Sequence, residues 1–504
     1  MEINPISTIG ELKESGYKPQ SIKDELRKNL ITALQKNINP FEGIIGYDET
    51  VIPNLQTAIL SRHNIILLGL RGQAKTRIAR LLINLLDEYI PAVEGSELND
   101  DPFIPLSRTA KDLIAEFGDK TKITWIHRSE RYTEKLATPD VSVADLIGDV
   151  DPIKAATLKL PYSDERVIHF GLIPRSHRSI FVINELPDLQ ARIQVALFNI
   201  LQENDIQIRG FKVRLPLDIQ FVFTANPEDY TNRGSIVTPL KDRIDSQIIT
   251  HYPKSILVSK QITKQEAKLT QTQNQSITIH PLLEDLVEQI AFEARNSEYV
   301  DSKSGVSARL TISAYENLFS TAERRMILNN EKNTFIRISD LYGVISSITG
   351  KIELVYEGEQ EGPSKVAHIL INKAIKKLFE NYFPTPENLK KNQLANFYQN
   401  LTAWFGKGNS VDILLNSSNL EYENTLIKIP KLKDIVQNYF PKVDKNSLLL
   451  YMEFLLYGLS EYSLLSKFKL ENGIQFKDML SSMLNNNKAE NEDDDENFSR
   501  ANFS

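Results

Sequence analysis

Apolar positions along this chain fall into two patterns. The first is the short unbroken run that stops at a polar group. Asn64-Ile-Ile-Leu-Leu68, Ser179-Ile-Phe-Val-Ile-Asn-Glu185 and Ile219-Gln-Phe-Val-Phe-Thr-Ala-Asn226 all have it. Runs of this kind predict parallel strands buried on both faces and ending at a site. The second pattern is the helical stripe. Leu26, Leu30 and Leu34 form one before Pro40, and Ile52, Leu55, Ile59 and Leu60 form another. A third helix is predicted over 77–86, and Leu189, Ile193, Leu197, Ile200 and Leu201 mark a fourth.

Other stretches read differently. Residues 91–135 form an insertion rich in Asp, Pro and Gly around a strand at 122–127, and 138–152 mixes turns with short apolar pieces. Residues 205–217 alternate about a turn near Gly210, predicting a hairpin with Arg209 and Lys212 near its tip. From about 255 the spacing is helical, including 310–328, and 346–483 is Leu-, Lys- and Asn-rich. The end, 485–504, carries six acidic residues between Glu490 and Glu496 with few apolar ones, which predicts disorder. Strands alternating with helices indicate an α/β fold with a parallel sheet and ligands at its carboxyl edge. The expected divisions are an N-terminal helical segment 1–40, an α/β nucleotide-binding domain 41–254, a helical lid 255–350, a helical C-terminal domain 351–484 and an acidic tail 485–504.

Composition narrows the function little. The 504 residues are 41% hydrophobic and 25% charged, enough for a packed core. A net charge of −7 argues against coating nucleic acid through bulk charge, though not against a local basic patch. The chain has no Cys, hence no disulfide frame, and its seven His lack metal-ligand spacing. It carries no signal-like N-terminus and no bilayer-length apolar stretch. A soluble cytoplasmic protein is the expectation.

The strand at 64–68 runs into Gly69-Leu70-Arg71-Gly72-Gln73-Ala74-Lys75-Thr76, which opens the third helix. This order makes a phosphate cradle, in which loop N–H groups converge on anionic oxygens. Lys75 would reach the β and γ phosphates of ATP, and the Thr76 hydroxyl would sit on Mg2+. The usual pattern has Gly before the Lys; here Ala74, the smallest replacement, stands there, and the backbone can still pass close to phosphate if its φ is negative. About 110 residues later a strand ends in Asn184-Glu185, another ends in Asn226, and Asp242-Arg243 closes a short helix.

With these motifs in that order, the chain resembles the AAA+ ATPases of the magnesium-chelatase ATPase-subunit and MoxR-like group, over about residues 40–350. Gly171–Glu185, Thr224-Ala-Asn-Pro-Glu228 and Leu240-Lys-Asp-Arg-Ile244 carry the likeness beside the loop at 69–76. The resemblance implies a P-loop AAA+ core with a helical lid. It makes 41–47, with Ile45 and Gly46, the segment over adenine, 138–178 the helix-2 insert, and 206–215 the insert before sensor 1. It implies that Glu185 polarises the attacking water, which an ionised carboxylate can do. Asn226 would be sensor 1 and Arg309 sensor 2. Arg243, with Arg233 as a rival, would be the arginine finger acting on a neighbouring subunit. The implied assembly is a ring, a hexamer by resemblance, working with a partner that contains a von Willebrand factor A domain.

The chain departs from the family at one place. Four apolar residues are followed by Asn184-Glu185 where the family has Asp-Glu. Asn can accept a bond from a metal-bound water but lacks the charge, a difference of about 1 kcal/mol. Mg·ATP binding with slow hydrolysis is expected. Four readings remain open: a partner-remodelling ATPase, a chelatase subunit driving metal insertion into a porphyrin, a nucleic-acid motor, and a nucleotide-gated scaffold. The acidic balance and the lack of a Gly-Ala-Phe-Thr-Gly-Ala loop disfavour the third, so no nucleic-acid partner is expected.

Overall fold

The computed structural model describes residues 6–479 apart from 163, 204, 209–213, 228–234 and 392–396. Two compact units divide the chain, Met1–Tyr252 and Pro253–Ser504. The first is built on five strands: β1 (Ile65–Leu68), β2 (Tyr132–Leu136), β3 (Ser179–Asn184), β4 (Ile219–Ala225) and β5 (Ser246–Ile249). Their order is β5-β1-β4-β3-β2, and every pairing is parallel. An α/β fold with a parallel sheet was expected; β2 and β5 were not.

Alternation along the strands assigns the two faces. Ile65, Leu67, Ile180, Val182, Val222 and Ile248 pack in one cluster with α1 (Ile22–Gln35), α2 (Val51–Leu60) and α3 (Lys75–Leu81). Ile66, Phe181, Ile183, Phe221, Phe223 and Ala225 pack on the other face with α4 (Ala191–Glu203). Both faces are covered at the centre, so β1, β3 and β4 are mostly apolar. The helix expected over 77–86 begins at Lys75 and tightens to a 3-10 turn at Leu82–Leu85. Residues 1–40 do not stand apart from this unit. Ile22, Leu26 and Leu30 of α1 share the sheet's core cluster, and Ser21 caps the helix by accepting from the Asp24 N–H.

Polar residues enter each strand at its amino end. Arg131, just before β2, donates to both Glu25 carboxylate oxygens at 2.7 and 2.6 Å, with both side chains buried. Arg178, before β3, lies 3.1 Å from the Asp101 carboxylate. Asp218, before β4, accepts from the Ile22 N–H at 2.7 Å. Asp245, before β5, accepts from the Asn64 N–H at 2.8 Å. The pair Glu25–Arg131 thereby fastens α1 to the sheet; removing one partner of such a buried pair costs about 3–5 kcal/mol.

The strand expected at 122–127 is Ile123–His127, paired antiparallel with Tyr89–Val93 outside the central sheet. The expected hairpin is Asp205–Gln207 against Arg214–Pro216. Its tip, with Arg209 and Lys212, lies outside the described residues, as do Arg233 and the tail 485–504. Among the described residues no helix is long and apolar enough to cross a membrane.

The second unit is mostly helical. One apolar cluster runs through it from Ile277 to Phe476, including α5 (Arg309–Leu328), α6 (Pro363–Tyr382) and α7 (Lys445–Glu461). The expected division at 350/351 therefore does not separate two cores. Three antiparallel strands, Val411–Leu414, Gly473–Lys477 and Ser466–Leu470, join the helices.

The amino edge makes stability depend on pH. Burial raises the Asp218 carboxyl from 3.8 to about 6. A carboxyl raised in this way stabilises the fold fully below its unfolded pKa and loses that contribution as pH rises through 6. Burial, with Arg178 adding to it, lowers His177 from 6.5 to about 4. Its contribution is complete above 6.5 and is lost as pH falls through 4. Asp218→Asn removes only the first effect. Between about pH 4 and pH 7 the variant should gain about 2–3 kcal/mol on the wild type, measured by urea unfolding. A difference independent of pH would show that the carboxyl is solvated.

Candidate functional site

Strand register brings the sequence motifs together. Leu68 is level with Ala225, so β1 enters its loop beside Asn226. Ile183 is level with Phe223, so Asn184 stands beside Thr224. The loop, Asn226 and Asn184-Glu185 thus meet at the carboxyl edge of three adjoining strands.

Lys75 is buried there. Its ammonium donates to the Gly69 carbonyl, to the Leu70 carbonyl at 3.0 Å and to Asn226 Oδ1 at 2.7 Å. Asn226 Nδ2 in turn donates to Glu185 Oε2 at 3.1 Å. The result is a chain from ammonium to amide to carboxylate. Asn226 and Glu185 are both part-exposed, so each can also meet a ligand. Glu185 itself takes the left-handed conformation at φ 55°, where the strand turns into Leu186–Asp188. Its N–H donates to Thr224 Oγ1 at 3.2 Å.

Braces hold the loop at 69–76 from outside. Tyr47 Oη donates to the Gln73 carbonyl at 3.1 Å and to the His251 carbonyl at 2.7 Å. Burial raises this hydroxyl to about 12, so it remains a donor at neutral pH. Tyr252 Oη donates to the Arg71 carbonyl at 2.9 Å. Thr250 Oγ1 donates to Gln73 Oε1 at 2.7 Å. A side chain at Gly69 would put its Cβ 2.0 Å from Thr250 Oγ1, so only glycine fits. Ile45 and Gly46 are part-exposed, on the segment that Tyr47 ties to the loop.

Ala74 corrects one expectation. Its φ is 58° and ψ 17°, left-handed rather than negative. The chain must reverse there to enter α3, and alanine takes the conformation that glycine takes more cheaply. Gly72, at φ 74°, needs the same freedom. Thr76 is part-exposed at the start of α3.

Asn184 is buried and bonded at both ends of its amide. Its Oδ1 accepts from Thr224 Oγ1 at 3.0 Å, and its Nδ2 donates to Glu134 Oε1 at 2.6 Å. Glu134 lies on β2, within the stretch read as an insertion, and the sequence reasoning missed it. Tyr132, Thr133 and Glu134 have strand-favouring residues and alternation as their only signal. Thr224 was missed as a linker for the same reason: it reads as part of a buried run.

The two proposed arginines have other partners. Arg243, which follows Thr238–Asp242, donates to Gln202 Oε1 at 3.0 Å and to the Pro239 carbonyl at 2.7 Å. Its guanidinium lies 5.1 Å from the Phe198 ring centre. These partners belong to α4 and to its own helix, not to the loop. Arg309 begins α5 in the second unit, where its N–H donates to Ser307 Oγ at 3.1 Å.

Chemically, this edge supplies an ammonium, a hydroxyl at Thr76, an amide and a carboxylate around a loop with two glycines. That donor set fits a polyphosphate with a hard divalent cation, since oxygen ligands and a cationic anchor are what both require.

No family model matches the chain. Several solved structures align with it. A putative ATPase from Cytophaga hutchinsonii is 17% identical, with 72% of this chain and 98% of that one covered and a TM-score of 0.28. The complex of the magnesium-chelatase subunits BchI and BchD gives 18%, 64%, 98% and 0.34 in the same terms. NtrX from Brucella abortus in complex with ATP gives 12%, 75%, 69% and 0.35. At these TM-scores the likenesses carry no argument about function; the geometry of the site has to.

The backbone at position 74 gives a direct test. Ala74→Gly should stabilise the protein by about 1 kcal/mol, the cost of left-handed alanine less the extra freedom of unfolded glycine. For a unit of this size that corresponds to a rise of about 2–4 °C in Tm by calorimetry. A lower Tm would mean that alanine is not strained there.

Proposed function

We propose that the chain is an oligomeric ATPase that binds ATP with Mg2+ and uses its hydrolysis to remodel or load a partner protein. One observation carries the reading: the Lys75–Asn226–Glu185 chain of hydrogen bonds, at the carboxyl edge of β1, β4 and β3. It joins a phosphate-binding cation to a carboxylate able to orient water, through an amide that touches both.

In this reading the ammonium of Lys75 and the loop N–H groups hold the triphosphate. Glu185 orients a water for attack on the γ-phosphorus, and the bond to the β,γ-bridging oxygen breaks. The proton leaves by way of the carboxylate. Asn226 sits where it can feel both the water and the terminal phosphate. Bound Mg2+ supplies neutralisation of phosphate charge, with Thr76 and Asn184 as the residues that would face it. Arg243, tied to its own α4 rather than to the loop, suits a finger offered to a neighbouring subunit. Ile45 and Gly46 would border the adenine, and Arg309 is the sensor 2 candidate by the motif resemblance. Cooperation between subunits implies a ring, and the motif resemblance points to a hexamer in the cytoplasm with a von Willebrand factor A partner.

A second reading, a nucleotide-gated scaffold with little hydrolysis, is favoured by the neutral Asn184 alone. Steady-state ATP turnover against protein concentration separates the two. The ATPase reading expects turnover per subunit to rise with concentration. Lys75→Ala should abolish nucleotide binding. Glu185→Gln should keep binding and lose about 100-fold or more in turnover. Arg243→Ala should keep binding and lose the concentration dependence. Wild-type rates in Glu185→Gln and Arg243→Ala would overturn the assignment, and binding without turnover at high concentration would select the scaffold.

A further inference from the structure

The neutral residue at position 184 leaves the site one negative charge short, and the structure shows a carboxylate within reach. Glu134 Oε1 lies 2.6 Å from Asn184 Nδ2. We propose that Glu134 supplies the anionic charge for the Mg2+ of the nucleotide, so that this function has moved one strand across the sheet, from β3 to β2. The inference rests on the ATPase reading and deepens it.

Three observations support the assignment. The first is the face. Ile180 and Val182 pack with Ile78 and Ala79 of α3, and side chains two apart on a strand share a face. Asn184 therefore points to the side of the sheet that carries α3, the helix that Thr76 opens. Glu134, level with Val182, is on that same face.

The second is how Glu134 is held. Arg80 Nε donates to its Oε2 at 2.9 Å, and Tyr132 Oη donates to the same oxygen at 3.1 Å. Arg80 lies one turn along α3 from Thr76. The carboxylate is thus suspended between the nucleotide helix and the end of β3, with its side chain 22% exposed. The opposite oxygen, Oε1, accepts from Asn184 Nδ2 and, at 3.3 Å, from Arg80 Nη2, so Arg80 holds both carboxylate oxygens. Pairing with Glu134 raises the Arg80 guanidinium above its ordinary value.

The third is the state of Asn184. Its carbonyl oxygen is already accepting from Thr224 Oγ1. Its amide donates toward Glu134, so it acts as a spacer that positions the carboxylate. Substituting Asp at 184 in the natural protein would set two carboxylates within hydrogen-bond distance, a repulsive pair. Asparagine at 184 and glutamate at 134 are therefore complementary choices.

The test is Mg2+ dependence of nucleotide binding, read with N-methylanthraniloyl-ATP fluorescence on the full chain, with Mn2+ electron paramagnetic resonance as a second readout. Glu134→Gln should raise the Mg2+ midpoint about five- to ten-fold, the effect of losing one charged partner. Its affinity for nucleotide in EDTA should not change. Adding Asn184→Asp to Glu134→Gln should restore the midpoint to within about two-fold, because the charge returns by the other strand. Arg80→Ala separates charge from scaffolding: it breaks the ion pair, keeps the carboxylate, and should leave the midpoint in place or lower it. Matching Tm values identify folded variants. An unchanged midpoint in Glu134→Gln, no rescue in the double variant, or the same shift in Arg80→Ala would each overturn the proposal. Wild-type protein that fails to bind nucleotide at saturating Mg2+ would instead overturn the ATPase reading itself.

Discussion

A parallel sheet covered on both faces has only its two ends for polar groups, and that constraint organises the first unit. At the amino ends, Arg131, Arg178, Asp218 and Asp245 are each met by a partner from the same chain. Those contacts close the end and fix α1 to the sheet. At the carboxyl ends, Asn184, Glu185, Thr224 and Asn226 gather around Lys75. There Glu185 and Asn226 keep part of their surface exposed. The amino end is closed by ion pairs and backbone contacts, while the carboxyl end keeps part-exposed polar groups. Desolvation explains the division. A buried charge must be satisfied wherever it sits, but only groups left partly in solvent can exchange a neighbour for a ligand.

The same edge holds the backbone strain of the site. Ala74 and Glu185 both take left-handed conformations without being glycine, each at a cost of about 1–2 kcal/mol. Such strain persists only where surrounding contacts over-determine it. Around Ala74 those contacts are visible: Tyr47 and Tyr252 seize the carbonyls of Gln73 and Arg71, and Thr250 holds the Gln73 side chain. All three come from segments outside the loop, two of them from the chain just after β5. The loop's shape is thus imposed by the sheet's edge strand as much as by its glycines.

This explains which parts were legible in the sequence. β1, β3 and β4 are central, buried on both faces, and read as apolar runs. β2 is an edge strand whose Tyr132, Glu134 and Lys135 answer to polar neighbours, so no apolar run marks it. β5 is four residues long with Ser246 and Gln247 at its start. Residues marked by a local pattern, such as Lys75 after its loop or Asn226 after its strand, lie at the edge where that pattern puts them. Residues whose role depends on register, such as Thr224 and Glu134, were not found, because pairing across 40 to 50 positions leaves no trace in local spacing. Ala74 shows a different limit: the residue type was noticed, but its φ is dictated by how α3 must leave the loop.

The second unit shows why a domain boundary drawn from composition does not divide it. Arg325 and Asp340, each 1% exposed, pair at 2.9 Å. Arg337 donates to the Ser417 carbonyl at 3.0 Å and to Asn419 Oδ1 at 2.9 Å, and its guanidinium lies 4.1 Å from the Tyr422 ring centre. Glu453 of α7 accepts from the Ile338 and Ser339 N–H groups at 2.8 and 3.0 Å and from Tyr422 Oη at 2.7 Å. Burial pushes the Glu453 carboxyl up and brings Arg337 down to about 10. Both groups therefore depend on each other's segments for their charge. Residues 325–340 belong to the stretch expected as a lid, while 417–453 belong to the stretch expected as a separate domain. Neither half could bury Arg337 or Glu453 alone without taking away partners that these charges use, at a cost of several kcal/mol each. The segment that contains Arg309 accordingly has no core of its own, and whatever it does toward a nucleotide it does as part of the whole helical unit.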